Sequence, residues 1–171
     1  MMLSKFALAL LFLATFPALS NAETASYFDK VVEEPIDEVW LNPGFYSDHF
    51  QADKNLNNIN QGFGVEYRVT TTNSFTAGRF NNSEHKTSNY VAWIWQPVGP
   101  GTPVGPGTVR LGALLGMIDG YPRANNGYWF PLLLPVASYE YKYIGVNLTF
   151  VPTIQDTLYG AFSLQIKFKV Y

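Results

Sequence analysis

The 171 residues contain no cysteine. That excludes disulfides, thiolate metal sites, a cysteine nucleophile and a lipid-modified N-terminal cysteine. Charge is scarce as well, at 14% Asp, Glu, Lys and Arg, against about 25% in ordinary soluble domains. There are two histidines, His49 and His85; without further spaced ligands they do not make a zinc site, and no metal or organic cofactor is implied. No apolar run reaches the ~20 residues that a membrane-spanning helix needs.

The N-terminus reads as a signal peptide, residues 1–22. Lys5 supplies a positive n-region, 6–19 is mostly apolar, and Ser20 and Ala22 are small residues at −3 and −1. Cleavage after Ala22 would leave 149 residues, enough for one domain. Of the charged residues only Lys5 would leave, so the rest carries 10 Lys+Arg against 13 Asp+Glu. An acidic balance argues against nucleic acid as a partner. A chain exported without disulfides needs another source of stability, and a closed barrel supplies one.

What is abundant is aromatic: 16% Phe, Trp and Tyr. Many aromatics with few charges suit a barrel whose outer surface meets lipid. They suit a soluble β-sandwich or lipocalin-like barrel equally. Residues 23–38 form a polar lead-in, and 39–171 form the barrel domain. Eight candidate strands follow: 39–50, 62–71, 75–80, 89–96, 109–118, 128–139, 143–151 and 158–170. Alternation is cleanest in two of them. Phe63, Val65, Tyr67 and Val69 oppose Gly64, Glu66 and Arg68; Phe162, Leu164, Ile166, Phe168 and Val170 oppose Ser163, Gln165, Lys167 and Lys169. An even strand number with polar residues for a lumen predicts an all-β, eight-stranded antiparallel up-and-down outer-membrane barrel.

Prolines interrupt this pattern. Residues 128–152, YWFPLLLPVASYEYKYIGVNLTFVP, read as two neighbouring strands, yet Pro131, Pro135 and Pro152 cannot donate to a ladder. In a bilayer every backbone group needs a partner, so these positions predict a gap in the wall, a side door for a lipid. The tandem PVGPGT repeat at 97–108 predicts an irregular linker. Its length, and the lysines of the last strand, keep a soluble periplasmic barrel open as a third reading.

Up-and-down order gathers 51–60, 81–88, 119–127 and 153–157 on one rim. His49, Asn82, Ser83, Asp119 and Arg123 converge there. A His beside a Ser forms a base–nucleophile pair; equally, polar residues belong in exposed loops.

NNGYWFPLLLPVAS (125–138) with GVNLTFVP (145–152), supported by GFGVEY (62–67), the 80–83 turn and WIWQP (93–97), resembles the PagP family of outer-membrane lipid A palmitoyltransferases. The resemblance runs from about Trp40 to the C-terminus. It implies a tilted eight-stranded barrel, monomeric and embedded in the outer membrane of a Gram-negative bacterium, with an interior acyl pocket. Pro43, Pro135 and Pro152 match three of the family's four gate prolines, and 57–64 lacks the fourth. His49 matches the family's catalytic His, spaced one residue further from Pro43, so that its side chain would face outward unless a bulge intervenes. Ser83 matches the family Ser. Asn82 stands where the family has Asp, and can hydrogen-bond but not stabilise an imidazolium by charge. Asp48 is a candidate to replace that charge. The family's pocket-floor glycine falls near Ile94, which implies a chain shorter than palmitoyl. Arg123 is a candidate phosphate contact. The implied activity moves an acyl chain from a glycerophospholipid to lipid A or another outer-leaflet lipid, or to water. The alternative is a non-catalytic lipid-binding or structural envelope barrel. Tyr171 is aromatic but in phase with Lys169 and Lys167, so either it leaves the strand or insertion uses a weaker signal.

Overall fold

A computed structural model describes residues 33–155 and 157–171. The signal peptide expected at 1–22, and residues 23–32 of the lead-in, lie outside the described residues. The eight strands are β1 (Pro35–His49), β2 (Ile59–Thr70), β3 (Asn73–Asn81), β4 (Thr87–Val104), β5 (Gly107–Ile118), β6 (Phe130–Tyr141), β7 (Ile144–Val151) and β8 (Ala161–Lys169). Each pairs antiparallel with the next, and β8 returns to β1, closing an all-β barrel. Closure removes the sheet edges that would otherwise expose unpaired N–H and C=O groups. One rim carries the four longer connections; the other carries three tight turns and both ends of the described chain.

The expected alternation sorts the side chains. Phe63, Tyr67, Phe75, Trp93, Leu115 and Phe168 are among the large apolar residues exposed on the outer face. A soluble monomer rarely exposes so continuous an apolar surface, and no helix among the described residues is long and apolar enough to cross a membrane.

The inner face divides in two. Toward the tight-turn rim it is filled by paired charged side chains. Lys167 donates to both oxygens of Glu66 at 2.8 and 2.9 Å and lies 2.9 Å from Glu140. Arg68 is bidentate on Glu140 and reaches Glu38 at 3.1 Å. Arg110 meets Glu140 at 3.3 Å, and Lys169 meets Glu38 at 2.9 Å. The Trp40 ring lies 4.8 Å from the Lys167 ammonium, a cation–π contact. The lysines of the last strand therefore point inward, into ion pairs, and no longer favour a soluble barrel. Toward the loop rim the same inner face opens into a cavity.

Two irregularities shape that upper half. The register of β1 shifts by one against both β2 and β8 around Pro43 and Gly44. Gly44 has φ +112°, and a Cβ there would fall 2.1 Å from the Asn60 carbonyl oxygen; only glycine fits. The shift moves the lumenal phase from Trp40 and Asn42 to Phe45, Ser47 and His49. The second irregularity is a gap. The β6–β7 ladder runs from Tyr141–Ile144 to Val136–Thr149 and stops, so residues 130–135 form no ladder pair with β7. Pro135 and Pro152 flank this opening. A shorter lapse separates Leu41 from Tyr46 along β8, beside Pro43.

The PVGPGT repeat corrects one expectation. It is not an irregular linker: it extends the β4–β5 hairpin, with Thr102–Val109, Pro103–Thr108 and Val104–Gly107 in register. Register shifts between Trp95 and Val98, and between Val98 and Thr102, take up Pro97 and Pro100, which have no N–H to place in the ladder. At the C-terminus β8 ends at Lys169, and Tyr171 leaves the strand, its carbonyl accepting from the Val39 N–H at 2.9 Å.

Candidate active site

The cavity has an empty volume of about 1160 Å³, its open mouth included. Ala92, Ile94, Leu114, Leu132, Leu134 and Val136 give it an apolar wall on β4, β5 and β6. Ser47, Asn60, Thr149 and Ser163 stand opposite and largely satisfy one another, as in Ser47 Oγ donating to Asn60 Oδ1 at 2.7 Å. Ile94 is 3% exposed and faces the cavity from β4. A cavity with this lining suits an apolar ligand oriented by a few polar groups.

Those groups sit at the mouth. His49, the last residue of β1, points into the lumen because of the shift at Gly44. Its Nε2 lies 2.8 Å from Ser83 Oγ, and its Nδ1 lies 2.8 Å from Asn58 Oδ1. Ser83 stands just beyond β3, in the connection to β4. Tyr121, from the β5–β6 connection, lines the same mouth as Ser83. Burial raises the Tyr121 phenol above its ordinary value, so it is a neutral donor.

Asn82 does not join this pair. It is 0% exposed, and its Nδ2 donates to Ser88 Oγ at 2.9 Å and to the Gly120 carbonyl at 2.7 Å. Its Oδ1 accepts from the Glu84 and Lys86 N–H groups at 2.9 and 3.0 Å. Asn82 builds the turn that presents Ser83, a task that suits a side chain with both donors and an acceptor. Asp48 faces outward, opposite His49, and does not replace the missing charge. Asp119 accepts from the Asn89 N–H at 2.6 Å and is structural. Arg123 is exposed and stacks on Tyr159 at 4.4 Å. Its charge opposes the upward shift that burial gives the Glu84 carboxyl. His85 turns elsewhere, its Nε2 near the Asn55 carbonyl at 3.1 Å. Among the described residues no group of His, Cys, Asp or Glu is placed to hold a metal.

No protein-family model and no curated protein matches this chain.

The geometry adds Asn58 and Tyr121. Both lie in segments the topology sends to this rim, and Tyr121 sits inside the DGYPR run (119–123) whose Asp and Arg the sequence singles out. Nothing in the spacing of Asn58 within NNINQ marks it; only the fold of the β1–β2 loop brings it to His49.

Proposed function

We propose that the protein is an outer-membrane acyltransferase that moves an acyl chain from a glycerophospholipid to lipid A or another outer-leaflet lipid. The observation that carries this reading is the His49–Ser83 pair at the mouth of an apolar cavity. His49 serves as general base, worth about 10²–10⁴-fold in such reactions. The apolar outer belt supports a bilayer location. The break in the β6–β7 ladder between Pro135 and Pro152 supports lateral entry of the donor lipid, its chain lying against the β4–β6 wall. The resemblance in 125–152 to the PagP family agrees with this assignment. Water in place of the acceptor makes the same site a phospholipase.

A second reading, a non-catalytic lipid-binding or structural envelope barrel, is favoured by one observation: both ring nitrogens of His49 meet neutral side chains. Mass spectrometry of lipid A and phospholipids from cells making the protein, beside cells making His49→Ala, separates the two. Acyl transfer predicts an added acyl mass only with the intact protein. Identical lipids in both, with each protein confirmed in the outer membrane, sink the enzyme reading and leave the binding barrel.

A further inference from the structure

We infer that Asn58 completes a serine–histidine–asparagine relay with His49 and Ser83, and that acyl transfer passes through an ester on Ser83. The inference rests on the acyl-transfer reading and gives that site a covalent step. Ser83 Oγ and Asn58 Oδ1 lie on opposite ring nitrogens of His49, each at 2.8 Å. Asn58 Oδ1 can only accept, so it fixes the proton on Nδ1. Nε2 is then left with its lone pair toward the Ser83 hydroxyl. This is the division of labour in nucleophile–histidine–orienter arrangements, where asparagine is a known third member. A histidine that served only as base for an incoming acceptor would have no need of a serine seated on its basic nitrogen.

The step balances without redox chemistry. Ser83 Oγ attacks the ester carbonyl carbon of the donor, and its proton passes to His49 Nε2. The oxyanion forms beside the Tyr121 hydroxyl, a neutral donor. The carbonyl–oxygen bond to the glycerol breaks, and the lysophospholipid alkoxide leaves with the proton from Nε2. The acceptor hydroxyl then attacks the Ser83 ester, gives its proton to Nε2, and Oγ departs and takes it back. One ester is exchanged for another. Asn58 touches none of the reacting atoms and is a positioning residue.

The test uses the full barrel in phospholipid–detergent micelles and a long-chain alkyl fluorophosphonate as probe. The expected result is one phosphonyl mass added per chain, mapped to Ser83 and absent from Ser83→Ala. Asn58→Ala should label about 100-fold more slowly. Asn58→Asp should restore labelling with its pH profile moved to higher pH, a shift that a merely structural Asn58 would not give. Circular dichroism and heat-dependent gel mobility establish that each variant is folded. The inference is overturned if Ser83→Ala keeps phospholipid turnover within about tenfold of the parent, or if folded Asn58→Ala labels at the parent rate with an unchanged profile. Turnover in folded Ser83→Ala leaves acyl transfer standing with direct attack by the acceptor. Labelling of Ser83 without transfer to any lipid acceptor leaves the nucleophile standing and removes the transferase.

Discussion

The ion cluster filling the lower half of the barrel makes a prediction independent of any chemistry at the mouth. Glu38, Glu66 and Glu140 face Arg68, Arg110, Lys167 and Lys169, three carboxylates against four cations. Glu66 and Lys167 are 1% exposed, and Arg68 is 2% exposed. Removing one partner of a buried pair costs about 3–5 kcal/mol, because it strands the other charge. An exposed pair costs about 0–1 kcal/mol. In Lys167→Met the side-chain volume is nearly kept and the cluster becomes three against three. Glu66 also retains Asn147 at 3.0 Å and Arg68 at 3.4 Å. The loss should therefore fall near the lower bound, about 3 kcal/mol. Glu66→Gln leaves two carboxylates among four cations, with Glu140 the one carboxylate still beside the Lys167 ammonium. It should cost more, about 4–5 kcal/mol. The double variant should cost less than the sum of the two, since neither charge is then stranded. Equilibrium urea unfolding of the refolded barrel in detergent micelles, followed by tryptophan fluorescence, reads these as midpoint shifts at constant slope. A loss below about 1 kcal/mol for Lys167→Met would place the pair with exposed ion pairs. A larger loss for Lys167→Met than for Glu66→Gln would refute the charge accounting.

Three further outcomes are expected. Gly44→Ala puts a Cβ 2.1 Å from the Asn60 carbonyl oxygen at φ +112°; it should lower stability by about 1–3 kcal/mol and reduce turnover by displacing His49, and parental stability and turnover would show that the β1 shift does not depend on glycine. Ile94→Gly opens the cavity floor and should move acyl selectivity toward longer chains, by about fourfold per extra methylene buried at ~0.8 kcal/mol each; competition among donors of graded chain length, read by mass spectrometry, checks it, and an unchanged preference removes Ile94 from the floor. Pro152→Ala returns a backbone N–H beside the β6–β7 opening and should slow turnover of bilayer phospholipid while sparing a micellar short-chain ester; equal effects on both substrates would mean that the opening is not the entry path.

Local chemistry made much of this barrel legible in the sequence. Period-two alternation in 62–71 and 158–170 marks strands with one polar face, because successive side chains must leave opposite sides of a strand. Prolines at 135 and 152 mark the end of a ladder, because they have no N–H to give. That His49 and Ser83 lie on the same rim follows from strand order. Proline content misled at the PVGPGT repeat: residues written off as linker pair as a hairpin once register shifts absorb Pro97 and Pro100. Sequence pattern also left open which way His49 points. That is decided by Gly44, whose left-handed backbone is set by the approach of Asn60 on the neighbouring strand. Asn82 sits beside Ser83 in the chain yet is spent on the turn, while Asn58, 25 residues upstream of Ser83, reaches the imidazole. Hydrogen-bond partners across loops depend on how each loop closes, and no periodicity encodes that. The sequence determined the strands, their faces and the rim where polar groups gather; only the closed barrel decided which of those groups touch, because contact is set by register and loop closure between segments far apart in the chain.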